Sequence, residues 1–414
     1  MSRRRSRHTR RAPVRLSSLL ALLAPLALVL ALVGTSELGP TPSSSPRPSM
    51  PAATAPFIPD ATVPADCATG ERLACLGQAF GNRAYTDGAD AALREIAAFV
   101  AADDRIGSDC HIVTHRIGAA IMARSEGNIA RASAEIGAST LLEFCGAGTF
   151  HGLLIELTGQ NPDTDAGELL LAACATDPLF AGDPRGLGSC AHGAGHAFVQ
   201  AYDWELAPAI EACRRFPDIQ EEARMARECA IGAYMEALQN GRAIGLPYVR
   251  IGEPTYPCTV INDWSADICW RMAGIVMTAD GITVDDQAPL CRTAPDALRR
   301  YACLSAITDG IATAYAEDLA LIRNFCATAA DSEYPLEDCL LYAAAKRGGD
   351  RQHPEAGAVL CRDIVDTEAR LDCFAAIGAK LSGQVGLERC NEIVDDVERA
   401  ACNRSILPPT PGEP

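Results

Sequence analysis

The chain has 414 residues, a hydrophobic content of 48% with only 5% aromatic residues, and a net charge of −17. That length holds two or three ordinary domains or one repeat array, and an aromatic-poor, alanine- and leucine-rich composition favours packed helices over sheets. The acidity excludes the basic surface that nucleic acid or anionic lipid demands.

Residues 1–34 read as a signal peptide or signal anchor. Arg3, Arg4, Arg5, Arg7, Arg10, Arg11 and Arg15 form a basic head, and the uncharged stretch Leu16 to Val33 follows it. Basic then apolar is the order of an export signal, and the apolar part sits near the lower length limit for a spanning helix. No A-x-A site follows it, which favours an uncleaved anchor with the arginines inside the cell. Thr9-Arg10-Arg11 is only a weak match to a twin-arginine signal. Removing the seven arginine charges from −17 leaves −24 for the rest of the chain. Residues 35–66 carry eight prolines among Ser, Thr and Ala, a composition that disfavours helix and reads as an extended, disordered linker.

The body holds eighteen cysteines. Behind an export signal they imply an oxidising, extracytoplasmic compartment and a disulfide framework. No C-x-x-C occurs, which argues against thioredoxin-like chemistry, zinc ribbons and haem attachment.

The cysteines mark a repeat. Leu290-Cys291-Arg-Thr-Ala-Pro-Asp296, Leu360-Cys361-Arg-Asp-Ile-Val-Asp366 and Arg389-Cys390-Asn-Glu-Ile-Val-Asp395 align, and Cys303, Cys373 and Cys402 each follow twelve residues after the first cysteine. First cysteines recur at 174, 213, 258, 291, 326, 361 and 390, in steps of 29 to 45. A drifting period of this size marks helical hairpins stacked in an α/α solenoid. The fold expected is therefore all-α, built of disulfide-stapled helical-hairpin repeats. In each unit one cysteine ends a helix, an aspartate such as Asp366 or Asp396 caps the next, and the second cysteine opens an apolar stretch; Cys110, Cys145 and Cys190 are expected each to begin the second helix of a unit. The pairs expected are 67–75, 174–190, 213–229, 258–269, 291–303, 326–339, 361–373 and 390–402, with Cys110 and Cys145 left over to join each other. The expected organisation is a His-rich helical region at 67–245, Cys-paired helical repeats at 246–405 and a disordered tail at 406–414.

Chemistry is concentrated in the first region. Five of the seven histidines fall between 111 and 196, in Cys110-His111-x3-His115, Cys145-x5-His151-Gly152 and Cys190-x-His192-Gly193-x-Gly195-His196; only His8 and His353 lie elsewhere. His111 with His115 and His192 with His196 are four apart, so each pair shares a helix face. From the preceding cysteine, His115 stands at +5 and His151 and His196 at +6. Successive units would thus bring these imidazoles to one depth, and five converging imidazoles exceed what a hydrophobic core needs. Gly118, Gly146, Gly148, Gly152, Gly193 and Gly195 lie beside them. A glycine inside a helix costs about 1 kcal/mol relative to alanine, so close helix approach or ligand space is implied.

Glu156 and Glu236 are the carboxylates expected nearest the cluster, as metal ligand, as orienting partner of an imidazole or as general base. Asp109 and Glu143 read better as helix caps. A site rich in imidazole with a carboxylate suits zinc, copper or iron. No H-E-x-x-H, G-x-S-x-G or phosphate-binding glycine loop is present. The expectation is an extracytoplasmic metal-binding helical-repeat protein, as a metal-dependent hydrolase or oxidoreductase. The alternatives are a non-enzymatic solenoid binding a protein or peptide with structural histidines, or a metal sequestration or delivery protein.

Overall fold

The computed structural model describes residues 57–63, 67, 72–102, 110–139, 141, 145, 147–181, 184–216, 225–241, 250, 252–279, 281–350, 354–381 and 383–406, all within the unit Ala52–Pro414. The expected export signal at 1–34, most of the proline-rich stretch 35–66, His8, His353, Asp109, Glu143, Gly146 and residues 407–414 lie outside the described residues.

Eighteen α-helices, and no strand, occur among the described residues. In chain order they are α1 (Arg72–Asp87), α2 (Ala89–Ala102), α3 (Cys110–Arg124), α4 (Ile129–Gly137), α5 (Gly148–Gln160), α6 (Ala166–Thr176), α7 (Pro184–Ala201), α8 (Leu206–Cys213) and α9 (Met225–Met235), which runs into a π-helical turn at Glu236–Asn240. Then come α10 (Ala266–Ala279), α11 (Val284–Cys291), α12 (Ala297–Ala314), α13 (Leu319–Ala329), α14 (Leu336–Asp350), α15 (Pro354–Cys361), α16 (Thr367–Gly378), α17 (Gly383–Cys390) and α18 (Asp396–Arg404). No described helix is long and apolar enough to cross a membrane; the apolar segment 16–33 lies outside the described residues.

Helices of two kinds alternate. In the series α1, α3, α5, α7, α9, α10, α12, α14, α16, α18, each helix packs on the next. The intervening helices α2, α4, α6, α8, α11, α13 and α15 each lean on the series members before and after them, and α17 leans on α18. The reason is in the patterning: central series helices such as α3 and α5 bury residues around most of their circumference, as in Ile117, Gly118, Ala119, Ala120, Ile121 and Met122 of α3, whereas α1 and α18 at the ends of the series bury fewer. The flanking helices bury one stripe, as in Ala132, Ser133 and Ile136 of α4. A helix apolar on all sides must be covered on all sides.

Nine cysteine pairs stand at bonding distance, in the pairing the spacing predicts, including Cys67–Cys75 and Cys110–Cys145. Each holds its Cα atoms 5.4–5.8 Å apart. Eight of the pairs are 8–16 residues apart in sequence and Cys110–Cys145 is 35 apart, and each contributes about 3–4 kcal/mol in the loop-entropy account of a disulfide. The first cysteine does end a helix at Cys213, Cys291, Cys361 and Cys390. Of the cysteines expected to begin a helix, Cys110 does begin α3, Cys145 precedes α5, and Cys190 lies deeper, as the seventh residue of α7. Cys373 stands seventh in α16, a first turn after its capping aspartate, Asp366.

Those aspartates cap as expected, with one correction. Asp296 accepts from Arg299 N, Asp366 from Ala369 N, and the last unit uses Asp395, which accepts from Val397 N and Glu398 N. Asp396, expected in that role, is already inside α18 and pairs with Arg399. Asp395→Ala is accordingly expected to cost about 1 kcal/mol and Asp396→Ala distinctly less. Urea unfolding midpoints compare them, and equal losses would contradict the assigned cap.

Part of the proline-rich stretch lies on the body. The Phe57 side chain is buried, its backbone N–H donates to Glu156 at 2.9 Å, and the Arg116 guanidinium stands 5.0 Å from its ring centroid.

Candidate metal centre

Four successive members of the helix series build the site. His111 and His115 come from α3, His151 from α5, His192 and His196 from α7, and Glu236 from the π-turn that ends α9. The helices can bring these side chains together because they touch at glycine. A methyl group placed on Gly118 would stand 1.8 Å from the Thr149 carbonyl oxygen, and one on Gly152 would stand 1.7 Å from that of His115. The α7–α9 contact repeats this device: Gly195 meets the Cys229 carbonyl at 1.9 Å and Gly232 that of His192 at 1.9 Å. Backbone lies on backbone at both crossings. The histidines next in sequence to these glycines therefore project beside the contact, into one space.

His111, His115, His151 and His196 each offer a nitrogen within 4.8 Å of the others. Tetrahedral coordination with bonds of about 2.1 Å sets donors about 3.4 Å apart, so the donor separations need to close by at most about 1.4 Å. All six ring-centroid separations among the four fall between 4.6 and 5.6 Å. A flat square with sides of this size would have diagonals of about 6.9 Å, whereas both longest separations are 5.6 Å. The four rings occupy the corners of a distorted tetrahedron.

The hydrogen bonds show which nitrogens are available. His111 Nδ1–H donates to the Cys145 carbonyl at 2.8 Å, because a carbonyl only accepts; its Nε2 is left with a lone pair. That nitrogen faces His151 Nδ1 at 3.1 Å. His196 Nδ1–H donates to Glu236 Oε2 at 2.8 Å, and Gln200 donates to Glu236 Oε1 at 2.8 Å. His196 Nε2 and His115 Nε2 are buried without any hydrogen-bond partner. An orphaned buried imidazole nitrogen is costly unless something occupies it. A carboxylate holding the far nitrogen of an imidazole is the usual way a metal-binding tautomer is fixed. The residues present thus fit a metal ion.

Of the two carboxylates expected here, Glu236 contacts the cluster. Glu156 is buried but takes its hydrogen bonds from Phe57 N and Gln160, and neither reaches a histidine. His192 borders the four rather than joining them, its ring 4.9 Å from His151 and 5.2 Å from His196. It is half-buried, as is His111.

Two features had little or no sequence signal. Cys145 and Ala147 hold left-handed backbone angles, φ 55° and 59°, which non-glycine residues adopt at a cost and which tend to cluster at functional sites. The turn aims the Cys145 carbonyl at His111; the glycines flanking Ala147 were its only trace. The π-turn carrying Glu236 is a second such feature, of a kind frequent at functional sites.

Burial pushes the imidazoles toward the neutral, metal-binding form. His115, His151 and His196 fall well below the ordinary imidazole range, His192 falls to about 3, and His111 is lowered despite its bond to Cys145. Desolvation is the main cause, and repulsion among the imidazoles adds to it for His115, His151, His192 and His196. The unfolded chain takes up protons near 6.5 while the folded chain does not. Stability from these groups is therefore intact above that pH and is lost as pH falls below it, by up to about 1.4 kcal/mol per pH unit for each group. The urea midpoint of metal-free protein is expected to drop steeply between about pH 6.5 and 5. A flat midpoint over that interval would show that the histidines are not held neutral.

No family model, curated protein or solved structure matches this chain.

Proposed function

We propose that this chain is an extracytoplasmic metal-binding protein that holds one transition-metal ion on His111, His115, His151 and His196, with Glu236 orienting His196. The observation that carries this reading is the tetrahedral gathering of four imidazoles, three of them buried, with two nitrogens unpartnered. Four nitrogens complete a tetrahedral shell, and closed shells hold ions whereas catalytic ones keep a position open. Retention or delivery of the ion therefore fits better than hydrolysis or substrate oxidation, and the Glu156 and Glu236 carboxylates act as structural and positioning groups.

The ordered helix series is read as an α/α solenoid, with 67–245 carrying the centre and 246–405 serving as scaffold. Nine disulfides suit an oxidising compartment, and residues 16–33 would anchor the body to a membrane. The later repeats also offer a peptide- or protein-binding edge. Val365 and Val394 occupy the same position in two units and are 91% and 83% exposed.

Metal analysis of the full-length protein after loading with zinc, copper or iron near neutral pH tests the reading. One equivalent is expected, and less than about a tenth of an equivalent of all three would sink it.

A further inference from the structure

His192 is the one imidazole of the five that the proposed centre does not use. It lies four residues before His196, on the same face of α7, and its ring stands 4.9 Å from that of His151 and 5.2 Å from that of His196. The His151 and His196 rings stand 4.6 Å apart. These three separations fall within the 4.6–5.6 Å spread of the other four rings. The imidazoles therefore form two stations that share His151 and His196: the inner four, and a group of three completed by His192.

The stations differ in access. His115, His151 and His196 are 7%, 2% and 0% exposed, so an ion on the inner four meets little water. His192 is half-buried. Hydrogen bonds at Nδ1 hold His111, His151 and His196, whereas His192 makes none among the described residues. Rotation between staggered side-chain positions can therefore turn its ring toward the ion. His111 is half-buried too, but Cys145 engages its Nδ1 and its Nε2 faces His151, so it offers no nitrogen to the outside. Four protein donors close a tetrahedral shell, whereas three leave a position for an incoming group.

Resting on the metal-centre reading above, we infer that His192 is the exchange ligand of the centre, through which the ion passes between the inner four imidazoles and an outside acceptor. A bond from His192 to the ion forms as one from His111 or His115 breaks, with no change of oxidation state, and the acceptor's donor atom takes the position left open. A group that binds only on the way speeds entry and exit alike and leaves affinity unchanged. The full-length protein is loaded with zinc, copper or iron in parallel and mixed with excess pyridylazoresorcinol, a chelator that colours on taking any of them. His192→Phe keeps a ring of similar size without a ligating nitrogen. It should hold the same equivalent with the same Kd, yet release it at least about tenfold more slowly. His192→Ala should do the same, and free imidazole should speed its release more than it speeds that of the parent. Release at the parental rate from both variants overturns the exchange role and leaves the metal centre standing. Loss of the bound equivalent from both makes His192 a resident ligand and overturns the role as well. A parent that retains none of the three ions overturns the metal centre itself.

Discussion

Replacing His115 or His196 by alanine is expected to weaken metal binding at least about 100-fold, the scale on which losses at metal sites are felt. The two variants should differ when no metal is present. His196→Ala leaves Glu236 buried with one fewer donor, and a lost partner of this kind costs about 1–3 kcal/mol. His115 has no bond at Nε2 to lose, so His115→Ala should cost the metal-free protein less. In the parent, an ion at a thousand times its dissociation constant stabilises the fold by about 4 kcal/mol, seen as a rise of several degrees in Tm. Both variants should lose that rise. His192→Ala should keep the full equivalent, because His192 borders the four. Metal content and Tm measured on the three variants check this. The ligand set is wrong if His115→Ala and His196→Ala both keep a full equivalent.

Gly152→Ala and Gly195→Ala are expected to damage both fold and centre. Each added methyl would stand 1.7–1.9 Å from a carbonyl oxygen of the neighbouring helix. The obstacle is backbone, so no rotamer change relieves it and the helices must separate. Overpacking of a core usually costs about 1–3 kcal/mol; a methyl forced into backbone should reach about 3 or more. Separation also pulls His151 away from α3, or His196 away from Glu236. Gly188→Ala is the control on α7: its methyl would meet only a Glu228 side-chain carbon, at 3.9 Å. Removing a glycine from a helix there should be neutral or gain up to about 1 kcal/mol. Unfolding free energy and metal content of the three proteins decide the matter. Near-parent behaviour of Gly152→Ala would refute backbone contact between α3 and α5.

Much of this was legible in local patterns. Most cysteines recur in pairs 8–16 residues apart, the span of one inter-helix turn, so those pairs followed from the linear order, and Cys110 with Cys145 remained to join across α4. Histidine spacings of four, and of five to six from a cysteine, placed the imidazoles at one depth. Asp396 was misread as the cap because it shares with Asp395 the one feature a sequence displays, an acid before a helix; backbone angles make the choice. Cys190 was set too near its helix start for a similar reason, since a first turn has no apolar signature of its own, whereas Cys110 does begin α3.

The division between sequence and tertiary structure follows distance along the chain. Composition, cysteine count and helical periodicity are local or additive properties, and they determined the all-helical class, the disulfide pairs and the histidines worth naming. Which histidines lie together is set by contacts between residues about forty positions apart, such as His196 with Glu236 and His111 with His151. Those contacts depend on how closely helices cross. Only the fold showed that glycine brings backbones together there, that the rings form a tetrahedron, and that Glu156 faces Phe57 while Glu236 faces the centre. A carboxylate's neighbours are fixed by packing, and no spacing in one dimension encodes them.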